Sequence, residues 1–405
     1  MPTLGLVLSG GGARGAYQAG VLAAIAHICS RHQLDDPFQV YSGVSAGAIN
    51  VALLAGNPSS FVQSSKNLVN LWSKIDSDNV FYADLMALSR GGLQWMTEFS
   101  LGGGKKDSGL RSLLSTHPLH NYILGKCQFG EIQKKINAGI LRAVSVSALD
   151  YDSVATVTFF QGIPELKTWE RGMHRSEKVN LSVEHIMASS AIPMLFPPVK
   201  VQDRYYGDGC IRNQSPCGPA IYLGASRLLA IGVRRRQDTF YSYHHASGGE
   251  MPTVARVANV LMNAVMMDGL ESDIQRIQQI NEGLKGLSSE ERRRSNWHEL
   301  ETLWISPSVD FSELAKKKGN ELPRIIRYLL RGPGSVDESA ELLSYLMFTP
   351  TYCRQLIDIG FSDGMKEQER ITDFLVRAQE ETTVRNLAGN RKETAASKRI
   401  SGIKG

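Results

Sequence analysis

Two successive strand–turn–helix units near the start constrain this chain more than any other feature. Leu4 to Leu8 is a short apolar run of buried-strand length. It ends in Ser9-Gly10-Gly11-Gly12-Ala13-Arg14-Gly15, which is too rich in glycine for either regular element. Tyr17, Val21, Ala24, Ile25 and Ile28 then recur at helical spacing. After a break at Asp35-Asp36-Pro37, a second apolar run, Phe38 to Tyr41, leads to a turn at Ser42 to Ala46 and a helix through Leu54. Repeated units of this kind build a parallel sheet, because each strand returns beside its predecessor over a crossover helix. The chain therefore reads as α/β, with a mostly parallel central sheet and helices on both faces.

Further strands are expected at Arg142–Ser147, Ala155–Phe160, Leu228–Arg234 and Glu301–Ile305. A long helix is expected from Thr253 to Leu284, and residues 100–108 and 241–250 have the composition of surface loops. From Phe311 to Val376 the pattern is helical, with turns expected at Gly332-Pro333-Gly334, Thr349-Pro350 and Gly360. The division this suggests is an α/β domain over 1–310 with its motif-bearing core at 4–235, a helical C-terminal annex at 311–380, and a basic tail at 381–405.

With 42% hydrophobic and 21% charged residues, the chain is neither wholly disordered nor fibrous. No apolar run approaches the ~18–20 residues of a membrane-spanning helix. The first charge is Arg14, so the apolar start lacks the basic leader of a signal peptide. Five cysteines, an odd number in a chain of this size, point to a reducing compartment rather than a disulfide framework. A soluble, cytoplasmic protein is expected, one that touches membranes at most peripherally. Residues 385–405 hold six basic side chains against the single acid Glu393, which equals the whole net charge of +5. That tail reads either as a solvated mobile end or as a contact for anionic lipid headgroups. Without interleaved aromatic residues it gives no support to nucleic-acid binding.

Three motifs could carry chemistry. Gly10, Gly12 and Gly15 satisfy the dinucleotide fingerprint, but Asp35 and Asp36 precede the second strand instead of closing it, so no nucleotide cofactor is expected. What remains is a run of backbone N–H groups at a helix N-terminus, suited to an anion or a developing oxyanion, with the Arg14 charge beside it. Gly43-Val44-Ser45-Ala46-Gly47 follows a strand and opens a helix, the setting of a nucleophile elbow, and its small residues permit the sharp turn. Tyr206-Gly207-Asp208-Gly209-Cys210, read alone, is a turn whose aspartate bonds its own backbone.

Taken together, these motifs resemble the patatin-like phospholipases. The stretches Ala188-Ser189-Ser190-Ala191-Ile192-Pro193 and Phe196-Pro197-Pro198-Val199 are similar to the family's text upstream of its aspartate, and the resemblance covers about residues 4 to 235. It implies an acyl hydrolase with a Ser–Asp dyad acting on a lipid ester without cofactor or metal. Ser45 would be the nucleophile and Asp208 the base. Gly43 and Gly47 would flank the elbow. Gly10, Gly11 and Gly12 would form the oxyanion hole with help from Arg14, and Gly209 and Cys210 would complete the dyad loop. The family usually has Gly or Ala where this chain has Cys210.

His244 and His245 would give the Ser…Asp…His order of α/β-hydrolases, yet an elbow at residue 43 comes too early for that fold. His174 and His185 have no ligand-like spacing. Leu93, Trp95, Met96 and Phe99 could cap an acyl site or pack as one face of a core helix. A general carboxylesterase or acyltransferase, or a non-catalytic acyl-chain or phosphate-binding platform, are the competing readings.

Overall fold

The structure, a computed structural model, describes residues 3–82, 112–236, 251, 269–294, 297–322, 327 and 340–377. Among these, ten strands form one sheet. They are β1 (Leu4–Leu8), β2 (Val40–Val44), β3 (Ala143–Asp150), β4 (Thr156–Gly162), β5 (Glu170–Arg171), β6 (His174–Lys178), β7 (Val199–Val201), β8 (Arg204–Asp208), β9 (Arg227–Ile231) and β10 (Glu301–Ile305). The order is β10-β9-β1-β2-β3-β4-β6-β5, with β8 against β3 and β7 hairpinned to β8. The five strands from β10 to β3 are parallel. β4 and β8 run antiparallel to β3.

Parallel strands are covered on both faces, and β1 is buried along its whole length. Leu4, Leu6 and Leu8 enter the main core, which includes α1 (Gly15–Arg31), α2 (Ala46–Ala55) and α3 (Phe61–Trp72). Val7 faces the opposite side, into a smaller cluster with Ala220, Leu228, Leu270 and Ile274. Helices thus cover both faces, as expected for the α/β class.

The strands expected from the sequence are all present; β1 and β10 have the expected ends, and β2, β3, β4 and β9 have shifted ones. The largest shift is in β2. Instead of turning at Ser42, it continues through Val44, because Ser42 and Gly43 pair with Val7 and Leu8 on one side and with Ser145 and Val146 on the other. Small residues there read as a turn, but between two parallel neighbours they form a fully buried strand.

The helices after residue 310 pack into the main core rather than apart from it: Phe311, Leu343, Tyr352 and Leu356 belong to the same buried cluster as α1. The turn expected at Gly360 does not exist, since one helix runs from Pro350 to Lys366. A Cβ at Gly360 would strike the Tyr17 carbonyl oxygen, and one at Gly20 would strike that of Ile357. These glycines bring two helix backbones together. Thr349 caps the same helix by accepting from the Tyr352 N–H at 3.4 Å, with Pro350 in the first turn.

Of the long helix expected from Thr253, the described part is Gly269–Lys285. Residues 83–111, which include Leu93, Trp95, Met96 and Phe99, lie outside the described residues, as do 237–250, Gly332-Pro333-Gly334 and the 381–405 tail. Among the described residues no helix is long and apolar enough to cross a membrane.

Candidate active site

Strand register brings Ser45 and Asp208 together. β3 pairs with β2 as far as Val44 opposite Ser147, and one residue later with β8, where Asp208 stands opposite Ala148. The residue that ends β8 and the residue that follows β2 therefore meet along the same edge of β3. Glycines permit the approach: a Cβ at Gly209 would strike the Ser147 carbonyl oxygen, and one at Gly47 would strike that of Leu8.

Ser45 has φ 53° and ψ −124°, a conformation a non-glycine residue rarely adopts, at the N-cap of α2. Its neighbours hold it there. The Ser45 N–H donates to Ser189 Oγ at 3.0 Å, and Ser189 Oγ donates to the Ser147 carbonyl at 2.6 Å. Ser190 Oγ donates to the Ser45 carbonyl at 3.2 Å. The Asp208 N–H donates to the Ala191 carbonyl at 2.9 Å. One segment, at the end of the helix Val183–Ser189, thus grips both candidate residues. The sequence marked this segment through its resemblance without assigning it a task.

Asp208 is fully buried. Its Oδ1 accepts the Cys210 N–H at 2.9 Å, the Asx-type bond that the sequence allowed. Oδ2 has no hydrogen-bond partner. The Ser45 hydroxyl lies close enough to pull the Asp208 pKa down without completing a bond. Apo sites often leave such bonds long. Desolvation dominates and raises the carboxyl from 3.8 to about 6, against the lowering effects of Ser45 and of the Cys210 amide and thiol.

The glycine loop lies beside the pair. A Cβ at Gly10 would fall 2.9 Å from the Ser45 Cβ and would collide with Cys210 Sγ. The Gly10 N–H turns toward that sulfur. Gly11 and Gly12 lead into the short turn Gly12–Arg14 that opens α1, with Gly12 at φ 55° and its Cα pressed against the Tyr345 carbonyl. Arg14 is buried and reaches the helix Ala340–Leu346. Its guanidinium pairs with Glu341 at 2.8 Å, bonds Ser344 Oγ from Nε at 2.8 Å and lies 4.7 Å from the Tyr345 ring centre. Sequence reasoning missed these partners, which lie some 330 residues away.

An apolar pocket opens at Ser45 and runs between α2, α3 and the C-terminal segment, walled by Ile49, Leu53, Trp72, Tyr122, Phe196 and Phe348. Its cavity volume is about 30 Å³. Trp72 and Phe348 stack within its wall with ring centres 6.3 Å apart. His244 and His245 lie outside the described residues. His185 is a core residue: its Nδ1 accepts the Ser182 N–H at 3.1 Å and its ring packs on Phe159.

Comparison with known proteins gives a family. The patatin-like phospholipase profile matches residues 6–221, more than half of the 405-residue chain. No curated protein matches by sequence. Among solved structures the fold is similar to VipD from Legionella pneumophila, at 14% identity over 91% of this chain and 67% of that one, with a TM-score of 0.35. It is also similar to human GIVD cytosolic phospholipase A2, at 12% identity over 94% of this chain and a TM-score of 0.45. The match spans 60% of the human chain's length. The stretch matched by the family profile contains the glycine loop, Ser45 and Asp208, and this chain belongs to the patatin-like phospholipase family, a family of lipid acyl hydrolases.

Proposed function

We propose that this protein hydrolyses carboxylic ester bonds of phospholipids or lysophospholipids through Ser45 and Asp208. Ser45 Oγ attacks the ester carbonyl as Asp208 Oδ2 takes its proton, and the proton passes to the departing alkoxide. Asp208 then deprotonates a water that cleaves the acyl-enzyme and restores the serine. The tetrahedral oxyanion is held by the Gly11 and Gly12 N–H groups at the positive end of α1, where a lost donor typically lowers the rate ~10²–10³-fold. The Gly10 amide serves Cys210 instead, and Arg14 fixes the loop to the C-terminal helix.

The observation that carries this reading is the unpartnered Asp208 Oδ2, buried beside a strained serine. A purely structural aspartate would have both oxygens satisfied, because a buried unmet acceptor costs about 1–3 kcal/mol. The apolar walls beyond Ser45 suit an acyl chain. A volume of about 30 Å³ holds roughly two waters, so the side chains lining it must move aside to admit the chain.

A fluorophosphonate probe tests the reading. Labelling at Ser45 that disappears in Ser45→Ala, together with ester turnover lost in the same variant, supports it. A folded wild-type protein that takes no label and turns over no ester favours the non-catalytic platform. Turnover of short soluble esters far above that of any lipid ester favours a general carboxylesterase.

A further inference from the structure

A second pocket lies on the other side of the glycine loop, with a cavity volume of about 520 Å³. Gly10, Cys210 and Val44 form the wall it shares with the Ser45 region, so the loop is a partition, apolar on one side and basic on the other. Arg212, Arg234 and Arg276 line the basic side against one carboxylate, Glu271. Among the described residues Arg212 has no carboxylate within ion-pair distance, and the Arg276 contact with Asp273 is long, at 4.0 Å.

The walls also hold polar atoms that the protein leaves unsatisfied. Asn213 Oδ1, Ser9 Oγ and Trp304 Nε1 are buried without a hydrogen-bond partner. The Asn213 residue is only 8% exposed. Buried polar groups are almost always paired, so three orphans around one cavity point to a polar occupant. The indole N–H and the serine hydroxyl are donors, and the asparagine amide can present its NH₂ by turning over. Guanidinium groups with neutral donors around a cavity match phosphate oxygens.

We propose that this pocket binds the phosphate ester of a substrate headgroup, while the acyl chain enters the apolar side and the ester carbonyl lies over the glycine loop beside Ser45. The assignment rests on the hydrolase reading and gives the headgroup phosphate of its substrate a site of its own. A neutral acylglycerol would leave Arg212 and the orphaned donors unmet.

The test has an arm that needs no turnover. Calorimetric titration of Ser45→Ala protein is expected to show binding of sn-glycerol 3-phosphate and none of glycerol. The double change Arg212→Gln with Arg276→Gln, both at exposed side chains, is expected to weaken that binding about tenfold or more. Inorganic phosphate bound as tightly as glycerol 3-phosphate would overturn the headgroup assignment in favour of a free-phosphate site. Failure of glycerol 3-phosphate to bind would overturn the pocket altogether.

In the kinetic arm, the double variant raises KM for a lysophosphatidic acid about tenfold more than KM for the monoacylglycerol with the same chain. Equal effects on the two substrates, or equal wild-type kcat/KM for both, would sink the pocket while leaving the hydrolase reading intact. Binding of glycerol 3-phosphate by a protein that turns over neither ester would sink the hydrolase reading alone.

Discussion

Ser189 Oγ accepts the Ser45 N–H at 3.0 Å and donates to the Ser147 carbonyl at 2.6 Å, so one hydroxyl joins the elbow to the strand that β8 shares. A positive φ on a non-glycine residue costs about 1–3 kcal/mol and persists only where its surroundings enforce it. Ser189→Ala removes that enforcement and leaves the Ser45 N–H buried without an acceptor. The expected result is a stability loss of roughly 1–3 kcal/mol in urea denaturation and a fall in kcat of about tenfold or more with little change in KM, since a misplaced nucleophile damages the transition state more than ground-state binding. An unchanged kcat at the same stability loss would make Ser189 a folding residue only.

Asp208 links activity and stability to pH in opposite directions. As the base it must be ionised, so kcat is expected to rise with pH and level off above its folded-state pKa of about 6. That pKa lies above the 3.8 of a solvent-exposed carboxyl, so folded protein keeps between those pH values a proton that the unfolded chain has lost. Stability therefore falls as pH rises from about 4 to about 6, and stays lower above that. Asp208→Asn is expected to abolish ester turnover and to remove this penalty. The variant should be more stable than wild type at pH 7, by roughly 2–3 kcal/mol, with the gap closing below pH 4. Thermal melts of both proteins across pH 3.5–7.5, a range of about four units chosen around these pKa values, check it. A variant less stable than wild type throughout would show that burial does not strain this carboxyl.

The parts of the site that were legible in the sequence are those built by short-range rules. Leu4–Leu8 and the helix after it follow from apolar period and glycine punctuation, and β1 and α1 lie there. Glu170–Arg171 and His174–Lys178 could not be read as strands, because they are short and polar and owe their conformation to the edge they extend. The tasks of Ser189 and Ser190 depend on hydrogen bonds to a residue some 145 positions earlier, and periodicity carries no trace of such contacts. Arg14 shows the same limit. Its position in the glycine loop suggested a charge beside an oxyanion, while its buried partners, Glu341 and Ser344, belong to the other end of the chain.

Gly360 was misread as a turn for a related reason: glycine in a helix can mark a close crossing as well as an end. Its Cα faces the Tyr17 carbonyl oxygen with no room for a methyl group, so Gly360→Ala forces the helix Pro350–Lys366 away from α1 despite alanine's better helix propensity. A net destabilisation of roughly 1–3 kcal/mol is expected. Gly283→Ala, where the added carbon meets nothing within 4 Å, is expected to be neutral or stabilising. Equal melting temperatures for the two variants would refute the close-crossing account.

Cys210 stands where the family usually has Gly or Ala, and its neighbours give the difference a consequence. The thiol lies close enough to the Asp208 carboxyl to lower its pKa, while the Gly10 N–H turns toward the sulfur. In Cys210→Ala the carboxyl loses a donor to its charged form, so its pKa rises and the acidic limb of the kcat profile moves to higher pH. The Gly10 N–H is released at the same time and becomes a further donor near the oxyanion position. The plateau kcat is therefore expected to increase even as activity at pH 5 falls. Cys210→Ser, which keeps a donor toward the carboxyl, should leave the limb near its wild-type position. If the alanine and serine variants share one pH profile, the thiol has no electrostatic role and Cys210 simply fills space between Gly10 and Asp208.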